Sequence, residues 1–249
     1  MTRPRKTDKR TQPQPTEKEI IHCMNEENKL AVRAALEHGA ELGEKALVAI
    51  ADVSGDGAAK EIIEALTDAE VASVAGEFDM TMPSLVHNYA TPDQFVGAFG
   101  RFGRRWTVLD TDEIGGTLRT RQREMEAFLC PMLCHQDDAR TAAMFAALAG
   151  HELAADALVF AGLDRPGYAE RLADPSSTVV CAGTFEEIYA KTSELAPDLW
   201  EEVKLLAEDL QETKEKLEFA AEFCTRLHDW TGEGGAETQV APEETFLGI

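Results

Sequence analysis

Cys130-Pro-Met-Leu-Cys134-His135 brings two thiols and an imidazole within six residues. Cysteines at i and i+4 share one face of a helix, and thiolates with an imidazole form a donor set that suits zinc. Zinc knuckles space their cysteines by two residues, whereas three separate these. A fourth ligand would have to come from afar, from His151 or from the His22-Cys23 pair. Cys-x-x-x-Cys-His also fits a variant of covalent haem attachment, and Cys130-Pro131 a thiolate haem ligand. The competing fate is a free cysteine buried in a helical core, where sulfur packs as a small hydrophobe.

Asp52-Val-Ser54-Gly-Asp56-Gly57 matches the front of a calcium loop, with oxygen ligands at positions 1, 3 and 5 and glycine at 6. Position 12, where a bidentate glutamate belongs, is Ile63, and Glu61 and Glu64 stand at the wrong spacing. A helix–loop–helix turn of turn-forming residues accounts for the same pattern. Glu19-Ile-Ile-His22 has the Glu-x-x-His spacing of di-iron bundles, but no second such pair occurs. Glu37-His38 and His151-Glu152 are adjacent residues, which point to different faces of a helix.

Arg101-Phe-Gly-Arg104-Arg105-Trp106 and Arg119-Thr-Arg121-Gln-Arg123 concentrate six bases within 23 residues. Such a cluster with its tryptophan would bind a phosphate, a nucleic acid or an acidic partner, or would pair internally with surplus carboxylates. No phosphate-binding loop, dinucleotide fingerprint or nucleophile elbow accompanies it, and Gly115-Gly116 alone is no phosphate cradle. The last candidate is the terminal peptide. Phe246, Leu247 and Ile249 form an apolar tip on a Gly/Pro-containing string that begins at Thr231. Docked in a partner's groove, such a tip would profit from the tether; the alternative is that it folds back on its own body.

The elements that must position these groups are helical. Thr16–Glu19, Thr67–Glu70, Thr91–Gln94 and Thr184–Glu187 each have the form of a capping box, the third with Pro92 at the favoured first helical position. Period-2 alternation is confined to the short Thr178–Val180, so the expected fold is all-α. Residues 67–79 and 91–103 look like copies offset by 24 residues, and 139–163 reads as two short apolar helices joined near Gly150. The expected architecture is an irregular helical bundle or a short superhelical array of paired helices. Leu199, Val203, Leu206, Leu210, Thr213, Leu217, Ala220, Cys224 and Leu227 keep 4-3 spacing, which predicts a long C-terminal coiled-coil-type helix. It would pair with a second copy or, as the Thr and Ala in its seam favour, with an earlier helix of the chain. The expected organisation is a basic disordered arm at 1–15, a helical body at 16–182, a coiled-coil segment at 183–230 and a flexible tail at 231–249.

Charge bounds the partners and the milieu. Asp and Glu number 46 against 24 Lys and Arg, a net charge of −22, yet the first fifteen residues hold five bases and one acid. Such a field repels nucleic-acid backbones, so nucleic acid is disfavoured as a partner except at the arginine cluster. Acid excess with few lysines in the body is a halophilic-like composition, which an ordinary acidic protein can share. Five cysteines at irregular spacing argue for reduced thiols in the cytoplasm, and no apolar run is long enough to span a membrane. No acid–base or nucleophile constellation stands out, so the reading leans away from an enzyme. The expected function is a non-enzymatic cytoplasmic interaction protein: an adaptor, assembly factor or structural accessory subunit that binds protein partners. Its alternative is a metal- or haem-responsive regulator using Cys130, Cys134 and His135 with an arginine-rich surface facing nucleic acid.

Overall fold

The computed structural model describes residues 17–77, 84–106, 114–134, 137–163, 185–210 and 212–230, with side chains at 17–25, 76–77, 105 and 114–116 left aside. Among these residues every regular element is helical, as the capping pattern predicts. In chain order they are α1 (Glu17–Leu36), α2 (Ala40–Ser54), α3 (Asp56–Glu64), α4 (Asp68–Glu77), α5 (Leu85–Tyr89) and α6 (Pro92–Phe102). A 3-10 turn at Gly103–Arg105 follows, then α7 (Ile114–Leu133), α8 (Asp138–Ala149), α9 (Ala154–Gly162), α10 (Phe185–Leu195), α11 (Pro197–Glu208) and α12 (Thr213–Asp229).

The helices start where side-chain oxygens can hold their first amides. Thr67 and Glu70 exchange bonds at α4, the Thr67 N–H donating to the carboxylate at 2.7 Å and the Glu70 N–H to the hydroxyl at 3.3 Å. Thr91 and Gln94 do the same at α6. The boxes expected at Thr16 and Thr184 fall on residues outside those described, as does the Thr178–Val180 alternation. Ser84 and Asp137 cap α5 and α8, which no box motif marks. The two apparent copies become α4 and α6, and they pack directly on each other.

One hydrophobic cluster runs from Val32 through Leu227. Its centre is aromatic. Phe95, Phe99 and Phe102 line one face of α6 and meet Phe128 of α7, with ring centroids 4.7 Å apart for Phe102. Phe160 of α9 packs in a tilted arrangement on Phe223 of α12 with ring centroids 4.8 Å apart. No helix among the described residues is long and apolar enough to cross a membrane; α8 and α9 reach that composition only as a pair bent by 106°.

The heptads of 199–227 do not make one helix. α11 ends at Glu208, and α12 starts afresh because Glu212 and Glu215 form a capping box of their own. The seam is already occupied in cis. Leu199, Val203 and Ala207 are buried with α11 packed on α9 and α10, and Ala220, Phe223, Cys224 and Leu227 are buried with α12 packed on α6, α7, α9 and the 3-10 turn. Only Thr213 and Leu217, beside the break, stay exposed. An oligomer through the 199–227 heptads is therefore corrected to burial within the chain, the alternative that the small residues of the seam favour.

Candidate functional site

Two segments far apart in sequence meet in space: the arginine-rich stretch and the end of α12. α12 comes down on the end of α6 because two glycines there leave room. A Cβ at Gly100 would collide with the indole of Trp230, and one at Gly103 would lie 2.8 Å from the backbone of Leu227. Trp230 fills that space. Its Nε1–H donates to Glu152 Oε1 at 2.9 Å, its carbonyl accepts from Arg104 Nη2 at 3.3 Å, and its ring lies 4.8 Å from that of His151. One turn earlier Arg226 pairs with Asp156 at 3.0 Å, and burial pushes that carboxyl up against the pull of the guanidinium. Residue 230, from which 231–249 depart, is thus fastened to α6, the α8–α9 junction and the 3-10 turn.

His151 sits at the centre of this knot. It is 8% exposed, with its ring 4.7 Å from Phe99 in an edge-to-face arrangement. Its Nδ1 accepts from the Leu153 N–H at 3.1 Å, which places the proton of the neutral ring on Nε2, and Nε2 has no hydrogen-bond partner among the described residues. Burial holds its pKa below the ordinary value, partly offset by Glu152.

The arginine cluster divides into inward and outward members. Trp106 is buried; its Nε1–H donates to Glu124 at 2.7 Å, and the guanidinium of the buried Arg121 lies 5.3 Å from its ring centroid. Arg121 also reaches Cys224, whose thiol burial pushes up while the guanidinium pulls it down. Arg104 is engaged by the Trp230 carbonyl. Arg119 and Arg123, one turn apart on α7, are exposed, and Arg101 is half-exposed. The Arg105 side chain lies outside those described. The inward members thus meet a carbonyl, an indole and a thiol, and the outward ones face the surface.

The other candidates are not gathered into sites. Cys130 is buried in α7 and Cys134 is half-buried just beyond it, with the Cys134 N–H bonded to the Cys130 carbonyl at 2.9 Å. The Cys134 thiol is pushed up to about 12, first by burial and then by the negative charge of Glu187, whose carboxylate also accepts a hydrogen bond from the S–H; Lys191 opposes this. At neutral pH it is a thiol. His135 lies outside the described residues. Asp52 and Ser54 belong to the last turn of α2, Gly55 makes the junction at φ +87°, and Asp56 opens α3, so the segment runs as a tight helix–helix corner with all three side chains exposed. Among the described residues no group of three or more His, Cys, Asp or Glu stands close enough to hold a metal ion. The side chains of Glu19 and His22, and the residues Phe246, Leu247 and Ile249, lie outside those described.

Sequence reasoning missed a pair that spacing does not reveal. Glu44, buried on α2, accepts from the Leu85 N–H and from Ser84 Oγ at 3.1 Å at the start of α5. Arg140, half-buried on α8, donates through Nη2 to the carbonyls of His87 at 3.1 Å and Ala90 at 2.6 Å at the other end. Burial raises the Glu44 pKa against the bonds it accepts and lowers that of Arg140 against the pull of Asp137. A carboxylate at the amide end and a guanidinium at the carbonyl end complement the dipole of this five-residue helix. Forty residues or more separate each charge from its target, so only proximity in the fold brings them together. Compared with protein-family models, with curated proteins and with solved structures, the chain matches none.

Proposed function

We propose that this chain is a non-enzymatic cytoplasmic interaction protein, an adaptor or assembly factor that engages protein partners through its helical surface and its C-terminal peptide. The observation that supports it is the fastening of Trp230 by Gly100, Arg104, Glu152 and His151. From a fixed root, residues 231–249 can carry Phe246, Leu247 and Ile249 at most about 65 Å from the body, since an extended residue spans about 3.4 Å. A short tether of this kind sets effective concentrations in the millimolar range, so a weak apolar anchor suffices once the body is engaged. The experiment compares proteins co-purifying with the full chain, with residues 1–230, and with Phe246→Ala/Leu247→Ala. Loss of the same partners from both altered chains is the expected result. An unchanged set removes the tail from the function.

A second reading draws on the exposed pair Arg119 and Arg123. It is a metal- or haem-responsive regulator with Cys130, Cys134 and His135 as ligands and these arginines toward nucleic acid. Elemental analysis and an absorption spectrum of the purified protein separate the two readings.

A further inference from the structure

α2 has two unlike faces. Gly43, Glu44, Leu47 and Ile50 are buried, with α1, α3, α4 and α5 packed on the helix. Its outer face carries Leu42, Ala46, Ala49 and Val53, at intervals of four, three and four residues, the spacing of a coiled-coil seam. Val53 is 86% exposed and Leu42 48%, Ala49 is exposed and Ala46 half-buried. The stripe is self-complementary. A two-fold axis through the middle of the helix sets Leu42 opposite Val53 of a second copy and Ala46 opposite Ala49, so the small pairs in the middle let the backbones approach. Two of the charges beside the stripe obey the same symmetry. Lys45 and Asp52 flank it on one edge, and the axis brings Lys45 of one copy alongside Asp52 of the other. Among the described residues Lys45 pairs with Glu41, in an exposed contact at 2.6 Å, and Asp52 has no ion pair.

We propose that this face of α2 is the interface of an antiparallel two-fold dimer of the chain, closed by Leu42–Val53 and Ala46–Ala49 layers and by Lys45–Asp52 pairs. The seam is short, so the dimer belongs to the weak class and is to be sought at about 100 µM protein. Sedimentation equilibrium on the full chain is expected to give twice the mass of one chain. Ala49→Glu, which puts a charge into the seam, and Val53→Lys, at its end, are expected to give single-chain mass with unchanged circular dichroism. Lys45→Asp is expected to raise the dissociation constant at least about tenfold, because it sets a carboxylate of one copy against the Asp52 carboxylate of the other. Adding Asp52→Lys to Lys45→Asp restores complementarity and is expected to recover the dimer. A wild-type chain of single mass, or a dimer that Ala49→Glu leaves intact, overturns the interface; a charge swap that fails to recover it overturns the antiparallel register. The tail deletion that tests partner binding leaves α2 untouched, so the two proposals fail independently.

Discussion

Burial between Phe99 and Trp230 keeps the imidazole of His151 neutral, because a charged ring there would lose its hydration. The folded pKa lies below the 6.5 of the unfolded chain, so between the two values the unfolded state binds the extra proton. This contribution is complete above 6.5 and is lost as pH falls through that window. Glu44 and Asp156, whose pKa values are raised, act with the opposite sign, favouring the fold below their unfolded values and losing that contribution as pH rises. A His151→Asn variant leaves both in place and keeps an oxygen that can accept the Leu153 N–H, as asparagine does in an Asx turn. The wild type is expected to lose more thermal stability than His151→Asn between about pH 7 and pH 5.5, followed by circular dichroism. Equal slopes would show that another group titrates. The sequence displays His151 and Glu152 only as neighbours. That one supports the ring of Trp230 by a tilted ring contact and the other by a hydrogen bond depends on a residue 78 positions away.

At the scale of the element, α5 shows what a short helix needs. Five residues cannot offset the cost of nucleation, so α5 persists only through what surrounds it. Glu44 and Arg140 hold its two ends, and Val86 and His87 are buried. Glu44→Ala strands the Leu85 amide and the Ser84 hydroxyl and is expected to cost about 3 kcal/mol in urea unfolding. Glu44→Gln keeps one acceptor and is expected to cost about 1 kcal/mol. Equal costs for the two variants would mean that the carboxyl fills space and does not hold the amides. Capping was readable at Thr67 and Thr91, where the partners are three residues apart. It was not readable at Ser84, where the decisive acceptor lies on another helix, nor at Glu212, a residue type that rarely opens a helix. The heptad period likewise named Leu199, Val203, Ala220, Cys224 and Leu227, which are buried, but not the break between α11 and α12, beside which Thr213 and Leu217 are exposed. Period reports which face is apolar, not whether the axis continues.

The whole molecule carries −22, and the ion pairs among the described residues are mostly Lys–Glu contacts of one helical turn, such as the exposed Lys45–Glu41 and Lys214–Glu218. Such pairs contribute little, so self-repulsion is the larger electrostatic effect. Raising salt from about 0.1 to 1 M shortens the Debye length from about 10 to 3 Å and screens that repulsion. The melting temperature is expected to rise by several degrees over this range; a fall would show that local pairs dominate. The charge follows from composition, and helix content, two of the four predicted starts and the apolar faces from interactions within about four residues, so these the chain determined by itself. Which helices meet was decided only in three dimensions. α4 lies on α6, the 199–227 seam turns inward, Arg121 faces Trp106 while Arg119 and Arg123 face outward, and Arg104 reaches a carbonyl 126 residues away. The reason is physical: periodicity is a property of a single helix, whereas the partner of an apolar face or of a buried charge is chosen by the packing of the whole chain.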